Sequence, residues 1–90
     1  VNSALEPIGG ARVRITASET AGGFTSGDVI LTGLTDENGV ITAQIASTSS
    51  VNVTIRSRKS SVAPLYKSSD TPSQLVTGIG LSTTIVLIPD

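Results

Sequence analysis

A chain of 90 residues can bury one hydrophobic core but not two, so residues 1–90 read as a single domain. The net charge of −1 and a pool of only six Lys and Arg give no general attraction to nucleic acid or to an anionic bilayer. No apolar run approaches the roughly 20 residues of a spanning helix, so membrane insertion is not expected either.

Cys and His are both absent, which removes disulfides, thiolate and imidazole chemistry and the commonest zinc ligands. Hydrophobic residues make up 38% of the chain with a single Phe and a single Tyr, so the core must be assembled from Val, Ile, Leu and Ala. β-Branched side chains are abundant, and the composition favours strands over helices.

In chain order, the Pro7-Ile8-Gly9-Gly10 punctuation leads into Ala11-Arg12-Val13-Arg14-Ile15. Its strict alternation predicts a strand with Ala11, Val13 and Ile15 inward and both arginines in water. Residues 17–28 form a Ser/Thr/Gly-rich loop around Phe24, which is expected to lie as a lid over one end of a core that has few large side chains. Val29-Ile30-Leu31-Thr32-Gly33-Leu34-Thr35 predicts a second strand, apolar enough to be covered on both faces at its start. Asp36-Glu37-Asn38-Gly39 then marks a tight turn, because Asn and Gly tolerate positive φ.

A third strand is expected over Ile41–Ile45, and Val51-Asn52-Val53-Thr54-Ile55-Arg56 is the cleanest alternation in the chain. Residues 57–71 read as a long excursion with at most a short edge strand, and Pro72 forbids a central strand at its position. Leu75-Val76-Thr77 and Leu81–Ile88 complete the set. In the last of these Ile85 and Leu87 face one way and Val86 and Ile88 the other, so both faces call for cover or for contact with another molecule. The expected core is Val13, Ile15, Leu31, Ile41, Ile45, Val53, Ile55, Ile85 and Leu87. Six to eight short strands at spacings of about 8–12 residues predict an all-β, antiparallel Greek-key sandwich, nominally seven-stranded.

The succession Pro7-x-x-Gly10-Ala11-x-Val13-x-Ile15, Thr35-Asp36-x-Asn38-Gly39-x-Ile41-x-x-x-Ile45 and Val51-x-Val53-x-Ile55 resembles the carboxypeptidase regulatory-like, or transthyretin-like (prealbumin-like), domain family. The resemblance covers about the first two thirds of the chain. It implies an Ig-like sandwich that serves as a non-catalytic module of enzymes, adhesins, or secretion and phage structural proteins. The pattern departs after Arg58, where members usually carry a Gly-Tyr step and this chain runs from Lys59 to Lys67. That stretch, with Gly80-Leu81-Ser82 and Leu87-Ile88, is similar to sandwich appendages of phage structural proteins.

Asp36, Glu37 and Asn38 lack the 12-residue ligand spacing of a calcium loop and read as turn formers. Where a crosslinking sandwich would place a nucleophilic Lys, the first strand offers Arg12 and Arg14, which are poor nucleophiles. Asn52-Val53-Thr54 matches a glycosylation sequon, which bears only on a eukaryotic secretory setting. The densest basic stretch, Arg56, Arg58, Lys59 and Lys67 around Tyr66, is the candidate binding site. It suits an anionic glycan, a phosphate group or an acidic subunit, and equally a charged edge that resists aggregation.

No cofactor and no enzymatic activity are expected. The chain reads as a structural or assembly module of a larger or processed protein, outside the cell or on a virion surface. Its expected partners are subunits of the same assembly, including copies of itself. A glycan or cell-surface adhesion module and an accessory domain of a larger enzyme are the alternative readings.

Overall fold

Alternation along two segments, Arg12–Ala17 and Val51–Lys59, generates the sheet on which everything else is laid. A computed structural model describes residues 1–42, 45, 47–60 and 63–89. It contains four strands, β1 (Arg12–Ala17), β2 (Val29–Leu34), β3 (Val51–Lys59) and β4 (Tyr66–Leu75). They form one antiparallel sheet in the order β2-β1-β3-β4. No helix occurs among the described residues, as the abundance of β-branched side chains predicts.

The face bearing Val13, Ile15 and Ala17 of β1 and Val51, Val53 and Ile55 of β3 is buried, together with Leu75 at the end of β4. Phe24, Leu31, Ile41, Ile45, Leu81 and Ile85 pack onto this cluster, and Ile8, Ala11 and Leu87 form a second one beside it. All nine expected core residues therefore lie in a cluster or against one. Phe24 covers an end of the sheet as expected, held by paired backbone hydrogen bonds with Ala21.

Several elements differ from expectation. Val29 at the start of β2 is 47% exposed, because β2 is an edge strand with a single covered face and not one buried on both. The chain after Lys59 does not wander to Thr71: β4 begins at Tyr66 and runs through Pro72. Pro72 is tolerated because β4 is the other edge. The Ser18 amide donates to the Asn52 carbonyl, which fixes the even-numbered groups of β3 toward β1 and the odd-numbered ones toward β4. Pro72 faces Thr54, so the N–H it lacks would have pointed away from the ladder.

Between the Asn38-Gly39 turn and β3 no strand occurs among the described residues. Ile41, Thr42 and Ile45 lie outside any strand, and Ala43 and Gln44 of the expected third strand fall outside the described residues. Residues 81–88 likewise form no strand, although the expected alternation persists: Leu87 is buried while Val86 and Ile88 are exposed.

The turn itself is well specified. The Asp36 carboxylate accepts from the backbone amides of Asn38 at 2.8 Å and Val40 at 3.0 Å, and Gly39 sits at φ 73°. A β-carbon at Gly39 would come within 2.9 Å of the Ile8 amide nitrogen. Ser57 is the one buried polar side chain described, and its hydroxyl has no partner among the described residues.

Two stability measurements follow from this packing. Ile55→Ala should cost about 2–5 kcal/mol, since the site lies at the centre of the aliphatic cluster. Gly39→Val should cost at least about 1–2 kcal/mol from the left-handed backbone alone, with the contact to Ile8 adding to it. Denaturant titration reads both, and an unchanged midpoint for Gly39→Val would mean that the turn relaxes freely.

Candidate functional site

The register of β1 against β3 decides what the solvent face of the sheet looks like. Arg12 lies opposite Arg58 and Arg14 opposite Arg56. Side chains with even numbers on both strands point away from the core, so all four arginines of the chain share one face. Facing residues in such pairs are about 5.5 Å apart at Cα, and successive rows lie about 7 Å apart. Four of the chain's six cations are thus gathered into a two-by-two grid.

The grid forms the floor of an open concavity of about 450 Å³, bordered by Val29 and Thr32 of β2. One carboxylate approaches it. Asp70 lies opposite Arg56 on β4, with its Oδ1 at 3.7 Å from the Arg56 Nε and both side chains well exposed. An ion pair of that kind in water is worth little. Arg12, Arg14 and Arg58 have no ion pair among the described residues.

The sheet gains nothing from this arrangement. Like charges directly across a strand pair destabilise it by about 0.2–1 kcal/mol each, and exposed sheet positions accept Thr readily. What the grid offers is planar, permanently charged donors that can grip oxyanions in a bidentate manner.

Of the residues singled out from sequence, Arg56 and Arg58 stand in the grid. The others do not join them. Lys59 continues the alternation of β3 onto the core side, opposite Tyr66, and Tyr66 is half buried against Ile8, Ala11 and Leu87. A register irregularity between Ser57 and Lys59 separates this corner from the arginines, so Tyr66 cannot stack over a ligand bound there. Lys67 lies on the edge strand, its amide donating to the Ile88 carbonyl. Arg12 and Arg14, read from sequence only as a wet face, complete the site. The signal that could have found them is the shared Arg-x-Arg spacing of Arg12-Val13-Arg14 and Arg56-Ser57-Arg58, on two strands of matching alternation.

The opposite face bears a half-open cleft of about 540 Å³ between the sheet and the segments beside it. Its walls are mainly aliphatic, including Val13, Ile15, Ile41 and Ile85, and the unpartnered Ser57 hydroxyl opens onto it. No charged side chain among the described residues lines it. Among the described residues no group of three or more carboxylates could hold a metal ion, and no helix is long and apolar enough to cross a membrane.

No protein-family model matches the chain, and neither a curated protein nor a solved structure matches it.

If the arginine grid serves binding and not folding, Arg14→Thr combined with Arg58→Thr should leave the fold intact and raise its stability. The gain at low salt should be about 0.5–1.5 kcal/mol, since one member of each opposed pair is removed, and it should shrink in high salt as repulsion is screened. A loss of stability would instead show that the arginine stems are needed for packing.

Proposed function

We propose that this chain is a non-enzymatic assembly module whose arginine-bearing sheet face docks an acidic surface of a partner protein. The single observation that carries the reading is the grid of Arg12, Arg14, Arg56 and Arg58, in which two like-charge pairs are held face to face with one exposed carboxylate nearby. Such a face is unfavourable in isolation and becomes favourable when anions cover it.

The side-chain inventory supports the non-enzymatic part. There is no His or Cys, and the described carboxylates lie at the surface, where nothing prepares them for acid–base work. In this reading the segments over residues 38–42 and 76–89 supply the second layer of a transthyretin-like sandwich. Their alternating Ile85 and Leu87 against Val86 and Ile88 has the period such a layer needs. The setting is the surface of a virion or a cell-surface appendage, where subunits of one assembly meet repeatedly. An acidic protein surface suits the grid because its four side chains project on one face from the two central strands of the sheet.

A second reading is adhesion to an anionic glycan, favoured by the open concavity around the arginines, which leaves room for a polymer to lie across the rows.

The test uses poly-L-glutamate and heparin as probes of carboxylate and sulfate recognition. Binding to poly-L-glutamate should weaken as salt rises, because exposed charges are screened beyond about 8 Å at physiological ionic strength. It should drop at least tenfold in Arg14→Thr with Arg58→Thr while the β-sheet circular dichroism is retained. Strong preference for heparin would select the glycan reading. Retained binding in the double variant, or none by the wild type at low salt, would sink both.

A further inference from the structure

The two edges of the sheet are built differently. The β4 edge carries Lys67, Asp70 and Pro72, has a register irregularity against β3, and is partly covered where Lys67 and Tyr66 meet the C-terminal segment. These are the devices that keep an edge from pairing with another strand. The β2 edge has a register irregularity too, but it is confined to the start of the strand, where Ile15 faces Leu31 and Thr16 faces Val29. Its sequence, Val29-Ile30-Leu31-Thr32-Gly33-Leu34, contains no charge and no proline.

Which β2 groups face the open side follows from the turn that leaves it. The Thr35 amide donates to the Ala11 carbonyl at 2.9 Å, so the alternation of an antiparallel ladder assigns Gly33 and Leu31 to bonds with Val13 and Ile15. The N–H and C=O of Thr32 and Leu34 therefore point outward. Among the described residues no loop or turn hydrogen bond reaches them. On the same strand Leu34 is 60% exposed and Val29 47%, both on the arginine side of the sheet.

We infer that the β2 edge is a self-association site, at which a second copy of this chain adds its own β2 antiparallel to form a continuous eight-stranded sheet. Unused backbone donors and acceptors specify an extended strand as the occupant. The strand is also complementary to itself. With Thr32 opposite Thr32 of the second copy, the outward backbone groups of the two residues pair with each other, every side chain at the seam is uncharged, and the exposed Leu34 of each copy is drawn toward the partner strand. The contact is isologous, so it closes as a dimer and does not grow into a fibre. The two-fold axis stands perpendicular to the sheet, so both arginine grids come to lie on one face. They are separated by the two β2 strands, which keeps the eight guanidinium groups from opposing one another across the seam. This dimer is independent of what the arginines bind, but it would present them to a partner in duplicate.

The chain contains no cysteine, which makes a single introduced thiol an unambiguous probe. Residues facing each other in a hydrogen-bonded antiparallel pair are about 5.5 Å apart at Cα, within the range of about 4.4–6.8 Å that a disulfide spans. Under mild oxidation Thr32→Cys should form a covalent dimer at least tenfold faster than Gln74→Cys, an exposed control on the guarded edge. Sedimentation of the wild type should show a concentration-dependent dimer. Thr32→Pro, which deletes an outward N–H and no bond to β1, should be monomeric with an unchanged β spectrum. If Thr32→Pro unfolds, Thr32→Lys serves in its place, since it sets two like charges opposite each other at the seam. Equal crosslinking rates at positions 32 and 74, or a wild type that stays monomeric up to millimolar concentration, would overturn the inference.

Discussion

The alternation of β3 is the constraint from which the rest of the molecule follows. Its odd-numbered residues Val51, Val53, Ile55 and Ser57 are all buried, and its even-numbered Asn52, Arg56 and Arg58 are exposed. β3 is also the strand that pairs on both sides, with β1 and with β4. A slip of one residue would carry Arg56 and Arg58 into the core and the valines into water, so the register is strongly enforced. The hydrophobic core and the cationic face are thus two consequences of one pairing.

That pairing has an energetic cost on its outer side and a thin return on its inner side. The core is aliphatic, it leaves a half-open cleft of about 540 Å³ between the sheet and the segments beside it, and it buries a Ser57 hydroxyl without a partner among the described residues. The outer side opposes arginine to arginine. Domains of this size retain only a few kcal/mol of net stability, so contacts that shield the arginines or extend the sheet would matter disproportionately. In the proposed reading, the features that weaken an isolated copy are the ones that would favour association.

In the proposed reading, the arginine face and the β2 edge would divide recognition between them. β4 is protected by charge, by proline and by the C-terminal segment at Tyr66 and Lys67, which leaves β2 as the open flank. The arginine face lies at right angles to that flank, so a strand added at β2 would extend the face without covering it. Arginine in place of lysine at all four grid positions suits a surface that reads oxyanion geometry, because guanidinium presents a planar fork of donors.

The local sequence determined β1, β2 and β3 and the inner sides of β1 and β3, but neither β4 nor the strands expected over 41–45 and 81–88. The alternation in Ala11–Ile15 and Val51–Arg56 is strict, and the side-chain period of a strand is two whatever its neighbours. The Asp36–Gly39 turn was legible for the same kind of reason, since its carboxylate caps and its positive φ are set by residues within the turn. What the tertiary structure alone decided is which strands are neighbours and in what register. Arg12 and Arg14 meet Arg58 and Arg56 across more than forty residues of chain, and no local rule fixes that offset. The same holds for Pro72, whose strand is permitted because β4 is an edge, and for Tyr66, turned toward Ile8 and Leu87 by an irregularity in the β3–β4 register. Register is settled by the simultaneous burial of side chains from distant segments, a sum over contacts that no single stretch of sequence contains.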